Sequence, residues 1–161
     1  MIVVAIIGIL AAIAIPNFNR FQAKAKQAEA KTNLKGIFTA AKARLAEKDD
    51  YATTASSATA FKEIGFAAEL GNRYTYRYAG DTINSDARFY SGTATAVAGT
   101  ASVVDIGVTK DFLATAAGNV DSDSFIDQWL MNDKNVLAND TSVLVTTVLL
   151  PITENANDVV N

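Results

Sequence analysis

Residues 1–16, MIVVAIIGILAAIAIP, carry no charged side chain and almost nothing polar, and they close on a proline. A polar helical pattern follows without a break. Such a run cannot face water, because moving apolar surface out of water is favourable by roughly 25 cal/mol per Å². It has to be buried in lipid, in other copies of the chain, or in each at different times. A membrane span takes about 20 apolar residues, and the fifteen before Pro16 fall short unless residues ahead of them complete it. A secretory signal peptide has an apolar core of this length, and Ala12-Ile13-Ala14 suits a small-residue cleavage site, yet no basic segment precedes it. Hydropathy alone leaves signal peptide, membrane anchor and buried core on an equal footing.

Residues 17–48 are strong helix formers, rich in Ala, Lys, Gln and Glu and free of proline. Ala23, Ala30, Leu34, Ile37, Phe38, Ala41 and Leu45 recur at steps of three and four, which makes one apolar stripe. Leu34, Phe38, Ala41 and Leu45 are expected to pack on a head formed by the rest of the chain. Arg20, Lys24, Lys31, Lys35 and Lys42 line up beside that stripe. Small residues (Ala25, Ala28, Gly36, Ala40, Ala43, Ala46) make up much of the remaining surface and allow close helix approach.

Net charge of −3 conceals a division. Residues 17–48 hold eight basic side chains against two acidic ones, and the remainder holds six basic against fifteen acidic. A basic stalk joined to an acidic head is either ordinary solvated charge or a device by which stalk and head of neighbours attract, with Lys31 and Lys35 the residues to test.

Beyond Asp49-Asp50 the texture changes. Residues 52–60 read as an irregular loop and 61–71 as a connection. Residues 73–78 alternate strictly, with Tyr74, Tyr76 and Tyr78 on one face, and predict a half-buried strand. Arg88-Phe89-Tyr90-Ser91 is the expected partner across a turn at Gly80-Asp81, residues 111–117 a third strand, and 125–131, with the sole tryptophan, a fourth. Residues 91–109 are a surface excursion or an extra edge strand. Val143 to Leu150 is a β-branched run before Pro151 and predicts a strand.

The chain has no histidine and no cysteine, which removes the commonest general base, the commonest zinc ligands and any disulfide. No phosphate-binding loop or nucleophile motif is present, so an enzyme is a poor fit. Asp121, Asp123 and Asp127 could hold Ca²⁺, but an EF-hand needs glycine and glutamate where Ile126 and Asn132 stand. Polar turn residues ahead of a strand are the favoured reading of that cluster, and no cofactor is expected. Asn139-Asp140-Thr141 is a glycosylation-type triplet of the kind that also arises by chance.

Residues 1–18 resemble, almost position for position, the N-terminal signature of the type IV pilins. The likeness continues in Phe21-Gln22-Ala23-Lys24, in the run from Gln27 to Lys35, in Glu63-Ile64-Gly65-Phe66-Ala67, in Gly71-Asn72-Arg73-Tyr74 and in Gly118-Asn119-Val120-Asp121. These later pieces look most like the major type IVa pilins of myxobacteria and their relatives. The final twenty-odd residues carry hardly any likeness. In that family a short stretch ending in glutamate precedes the apolar helix; here neither it nor a processing site can be assigned, and the N-terminus is read as incomplete.

The resemblance implies an α+β pilin fold, a long N-terminal helix on a small antiparallel β-sheet head. Its parts are an apolar helix over 1–16, an amphipathic helix over 17–48 and a β head over 49–161. Ile2, Val3, Val4, Ile6, Ile7, Ile9, Leu10, Ile13 and Ile15 are expected in a filament core. Gly8 and Pro16 match the ends of a segment that loses helical structure on assembly; both weaken a helix. The implied function is that of the major subunit of a type IV pilus, for motility and adhesion. The implied partners are copies of itself in a helical homopolymer, the inner membrane before assembly and the pilus assembly machinery, with no nucleic acid. A pseudopilin or minor pilin shares these physics; a membrane-anchored surface binding module is the rival of another class.

Overall fold

The computed structural model describes residues 2–51, 59–86, 88, 112–120 and 127–139. One helix, α1 (Ile2–Lys48), runs through both the apolar run and the amphipathic stretch, with Pro16 inside it. No break separates the parts expected at 1–16 and 17–48. At about 1.5 Å per residue, its 47 residues make a rod of roughly 70 Å. It stops at Asp49, whose φ of 58° is left-handed and whose N–H closes the last turn on the Leu45 carbonyl at 2.9 Å.

The head begins with a single helical turn, α2 (Ala60–Glu63), inside the stretch expected only to connect. Its cap comes from far along the chain: an Asp81 oxygen accepts the Phe61 N–H at 3.0 Å. Thr59 makes no side-chain cap bond to the helix backbone. Five antiparallel strands follow, β1 (Thr75–Tyr78), β2 (Asp81–Ile83), β3 (Leu113–Gly118), β4 (Asp127–Asn132) and β5 (Leu137–Ala138). They lie in the order β2-β1-β3-β4-β5.

The expected partner of β1 was misplaced. Ala79 and Gly80 both have positive φ, 50° and 83°, so they form a two-residue hairpin loop that pairs Tyr78 with Asp81. The partner is therefore β2, and Arg88 lies in a turn beyond it. Residues 89–91 lie outside the described residues, as do the excursion at 91–109 and the strand expected at 143–150. The third and fourth strands fall close to the expected 111–117 and 125–131.

α1 lies against β3 and β4. Register explains the fit: Tyr76, Ala116 and Trp129 share one row, and Tyr78, Ala114 and Met131 the next. Alanines on β3 thus leave a trough between the bulky side chains of β1 and β4. Ala30, Leu34, Ile37 and Ala41 of α1 are fully buried in the same core as these rows. Phe38 and Leu45 are only partly buried at its edge. Phe112 joins the upper core, with ring centroids 4.9 Å from Tyr51, 5.6 Å from Tyr78 and 6.1 Å from Phe38.

Candidate functional site

Among the described residues, residues 2–22 of α1 are exposed, with only Ala11 intermediate. Ile2, Val3, Val4, Ile6, Ile7, Ile9, Leu10, Ile13 and Ile15 are 52–78% exposed, and the apolar surface continues through Phe18 and Phe21. This is a helix long and apolar enough to cross a membrane. An added Cβ at Gly8 would meet nothing within 4 Å, so no packing in the lone chain demands a glycine there. Pro16 has no N–H to offer the carbonyl four residues earlier, and one residue on the Asn17 side-chain amide donates to the Ile13 carbonyl at 3.1 Å.

The second half is fixed to the head by polar contacts flanking the apolar stripe. Lys26 donates to the Val120 carbonyl at 2.6 Å, and Glu29 accepts the Arg73 N–H at 2.8 Å. Asn33 donates to the Tyr76 hydroxyl at 2.8 Å, and Lys42 to the Tyr51 hydroxyl at 2.7 Å. The Lys31 ammonium sits 4.4 Å from the centre of the Trp129 ring, a cation–π contact. Arg44, nearly fully buried, meets Asp50 at 2.8 Å and Glu63 at 3.3 Å. Four of the eight basic side chains in residues 17–48 (Lys26, Lys31, Lys42 and Arg44) are thus engaged within their own chain, Lys31 of the pair singled out for test among them. Lys24 and Lys35 remain exposed.

At the lower end of this seam stands Asp127. Its Oδ1 accepts from Gln27 at 3.1 Å and Asn139 at 2.9 Å; its Oδ2 accepts from Tyr74 and Trp129, each at 2.6 Å. Burial pushes the Asp127 carboxyl up, against the pull of these four donors. The Tyr74 hydroxyl is raised too, first by burial and then by the adjacent Asp127. Burial likewise raises Tyr76 and Tyr78. Of the three aspartates considered for Ca²⁺, Asp127 has both oxygens filled by the protein itself, and Asp121 and Asp123 lie outside the described residues. Among the described residues no group of three or more carboxylate, histidine or cysteine side chains is arranged to hold a metal. The Asn139 nitrogen that a glycan would occupy is the one bonded to Asp127.

The buried polar residues Gln27 and Arg44 were missed, yet a signal for them exists. Gln27, Ala30, Leu34, Ile37, Ala41 and Arg44 are the buried residues of α1, at steps of three, four, three, four and three. The period marks both: Gln27 fills the gap between Ala23 and Ala30, and Arg44 stands three residues past Ala41.

One part of this single helix is clamped to a sheet, and its N-terminal part is exposed and largely apolar. The family model for the type IV pilin PilA matches residues 21–107, more than half of the chain, and the chain belongs to that family. The α+β fold, one long N-terminal helix on an antiparallel sheet, is the pilin fold, and the family is structural, not enzymatic. Over 77 residues the chain is 65% identical to the type IV major pilin protein PilA of Myxococcus xanthus (strain DK1622). The alignment takes in 48% of this chain and 32% of that protein, so the match spans about a third of the relative's length.

Proposed function

We propose that this chain is the major structural subunit of a type IV pilus, which polymerises through its apolar N-terminal helix into an extracellular filament for motility and adhesion. The observation that carries the reading is the division of α1 into a bare apolar half and a latched half. Before assembly the bare half sits in the inner membrane; the pilus assembly machinery then transfers it to a core of sister helices. Full burial of one such side chain contributes roughly 1.5–3 kcal/mol. Measured from water, nine of them make roughly 14–27 kcal/mol, which keeps the helix in one apolar phase or the other. Passage from lipid to filament core gains little of it, because lipid tails are as apolar as the core. Part of the stretch between Gly8 and Pro16 gives up its helix in the packed core, and alanine at both positions reduces assembly. The 65% identity to a protein named a major pilin supports the major rather than a minor role.

The test is copy number and form. A sheared surface fraction dominated by this chain, with helical filaments in images, is the expected result. A trace component of filaments built from another chain would favour a pseudopilin or minor pilin. An anchored, unpolymerised chain would favour a surface binding module. A filament map with regular α-helix from Ile2 through Asn17 would overturn the melting.

A further inference from the structure

Two exposed features of opposite charge and shared apolar character are left unmatched among the described residues. The first is the tip of the loop between α2 and β1. Leu70 there is the most exposed large apolar side chain, at 104%, and Glu69 beside it is exposed. The loop is held on both sides of this tip. On one side Phe66 lies on Gly36, where an added Cβ would come within 3.0 Å of its ring, and its centroid is 5.9 Å from that of Phe61. On the other, Asn72 donates to the carbonyls of Tyr74 at 2.7 Å and Asn84 at 3.1 Å, and the Arg73 N–H is tied to Glu29. A single exposed leucine is ordinary on a protein surface; this one is set apart because its loop is held on both sides and because an exposed carboxylate stands next to it.

The second feature is a band on α1 below the head. Phe18 and Phe21 are 61% and 69% exposed, and Arg20 and Lys24 beside them are exposed as well. Phe21 precedes Glu29, the loop's tether, by eight residues, about 12 Å along the helix axis at ~1.5 Å per residue. We propose that the Glu69–Leu70 tip of one copy docks on the Phe18–Lys24 band of a second copy displaced along the helix axis. Leucine lies on the two phenylalanines, and Glu69 faces Arg20 and Lys24. The occupant is a second copy because knob and band are both partly apolar and are complementary in charge. The band also continues directly from the apolar half of α1. The contact is heterologous, one patch on a different patch, and such contacts propagate into open helices instead of closing into dimers. The inference rests on the polymer reading and adds to it the lateral contact that sets the axial offset between neighbours.

The chain has no cysteine, so introduced thiols report cleanly. Leu70→Cys together with Phe21→Cys, oxidised in filaments sheared from cells producing the full chain, is expected to give a ladder of trimers and longer species. Each single variant yields dimers at most, because a heterologous ladder needs both sites. Glu69→Lys is expected to lower filament yield about tenfold, the consequence of a contact loss near 1.4 kcal/mol, and Lys24→Glu added to it restores the yield. Filaments of the double-cysteine variant that show no species beyond dimer overturn the docking while leaving the polymer standing. A charge-swapped pair no better than Glu69→Lys alone also overturns it. Absence of any filament from the unaltered chain sinks the polymer reading, and the docking with it.

Discussion

Replacing Asp127 with alanine removes the acceptor for four donors at once. Two of them, the Tyr74 hydroxyl and the Trp129 indole N–H, belong to residues that are 0% and 8% exposed. A buried donor left without an acceptor costs about 1–3 kcal/mol. Against that, the chain no longer has to hold a carboxylate out of water, a relief of several kcal/mol. Four orphaned donors at that cost come to roughly 4–12 kcal/mol gross, so the relief leaves a net loss of about 2–4 kcal/mol. With a urea slope of about 1–3 kcal/mol per M, the midpoint should fall by roughly 2 M. Asparagine is the informative second variant. Its oxygen still accepts from Tyr74 and Trp129, and the Gln27 and Asn139 amides can rotate to present their carbonyls to its NH₂. Asp127→Asn should therefore cost only about 1–2 kcal/mol. Urea unfolding of the detergent-solubilised chain, read by far-UV circular dichroism and by the fluorescence of Trp129, measures both. An alanine variant within about 1 kcal/mol of the parent, or an asparagine variant as damaged as the alanine one, would refute the network argument.

Leu34→Ala, at a fully buried position, should cost about 2–5 kcal/mol, and Phe38→Ala, at the half-buried edge, nearer to 2; equal losses would mean the edge is not an edge. Gly118→Ala places a Cβ 2.9 Å from the Tyr74 ring and 3.0 Å from the Arg73 carbonyl, so thermal unfolding should reveal a loss of about 1–3 kcal/mol. Because the Asp127 carboxyl titrates higher folded than unfolded, the folded chain keeps a proton that the unfolded chain has lost. Its contribution is fully present below the ordinary carboxylate range and declines as pH rises through its raised value; Asp127→Asn should flatten that slope in a pH series of urea midpoints. Asp86 goes the other way, held at about 2 by its hydrogen bonds from Arg88, and an NMR titration of Arg88→Ala should return it to the ordinary range.

Where a feature is written in neighbouring residues, it was legible. The stripe of α1 and the alternation of Tyr74, Tyr76 and Tyr78 each recur within a few positions, and both predict the observed burial. β2 was not legible because its register depends on a hairpin loop in which alanine adopts positive φ, a conformation its type rarely signals. α2 escaped because its cap, Asp81, lies 20 residues away. The Asp127 site was read as a turn or a cation site because its donors stand as far as 100 residues off and only the fold brings them together. A carboxylate in a sequence does not announce whether water, a metal or the protein's own N–H groups will surround it.

The sheet's two margins bear on a hazard that follows from crowding. Packing many heads side by side brings unpaired strand edges into permanent contact at very high local concentration, the condition under which edges zip together and fibres fuse irreversibly. Among the described residues the sheet ends in β2, of three residues, and β5, of two. Neither offers a foreign strand more than a few ladder bonds. These two margins thus offer little backbone to intermolecular pairing, and in the proposed filament cohesion between them would fall to side chains, whose contacts can be broken and remade.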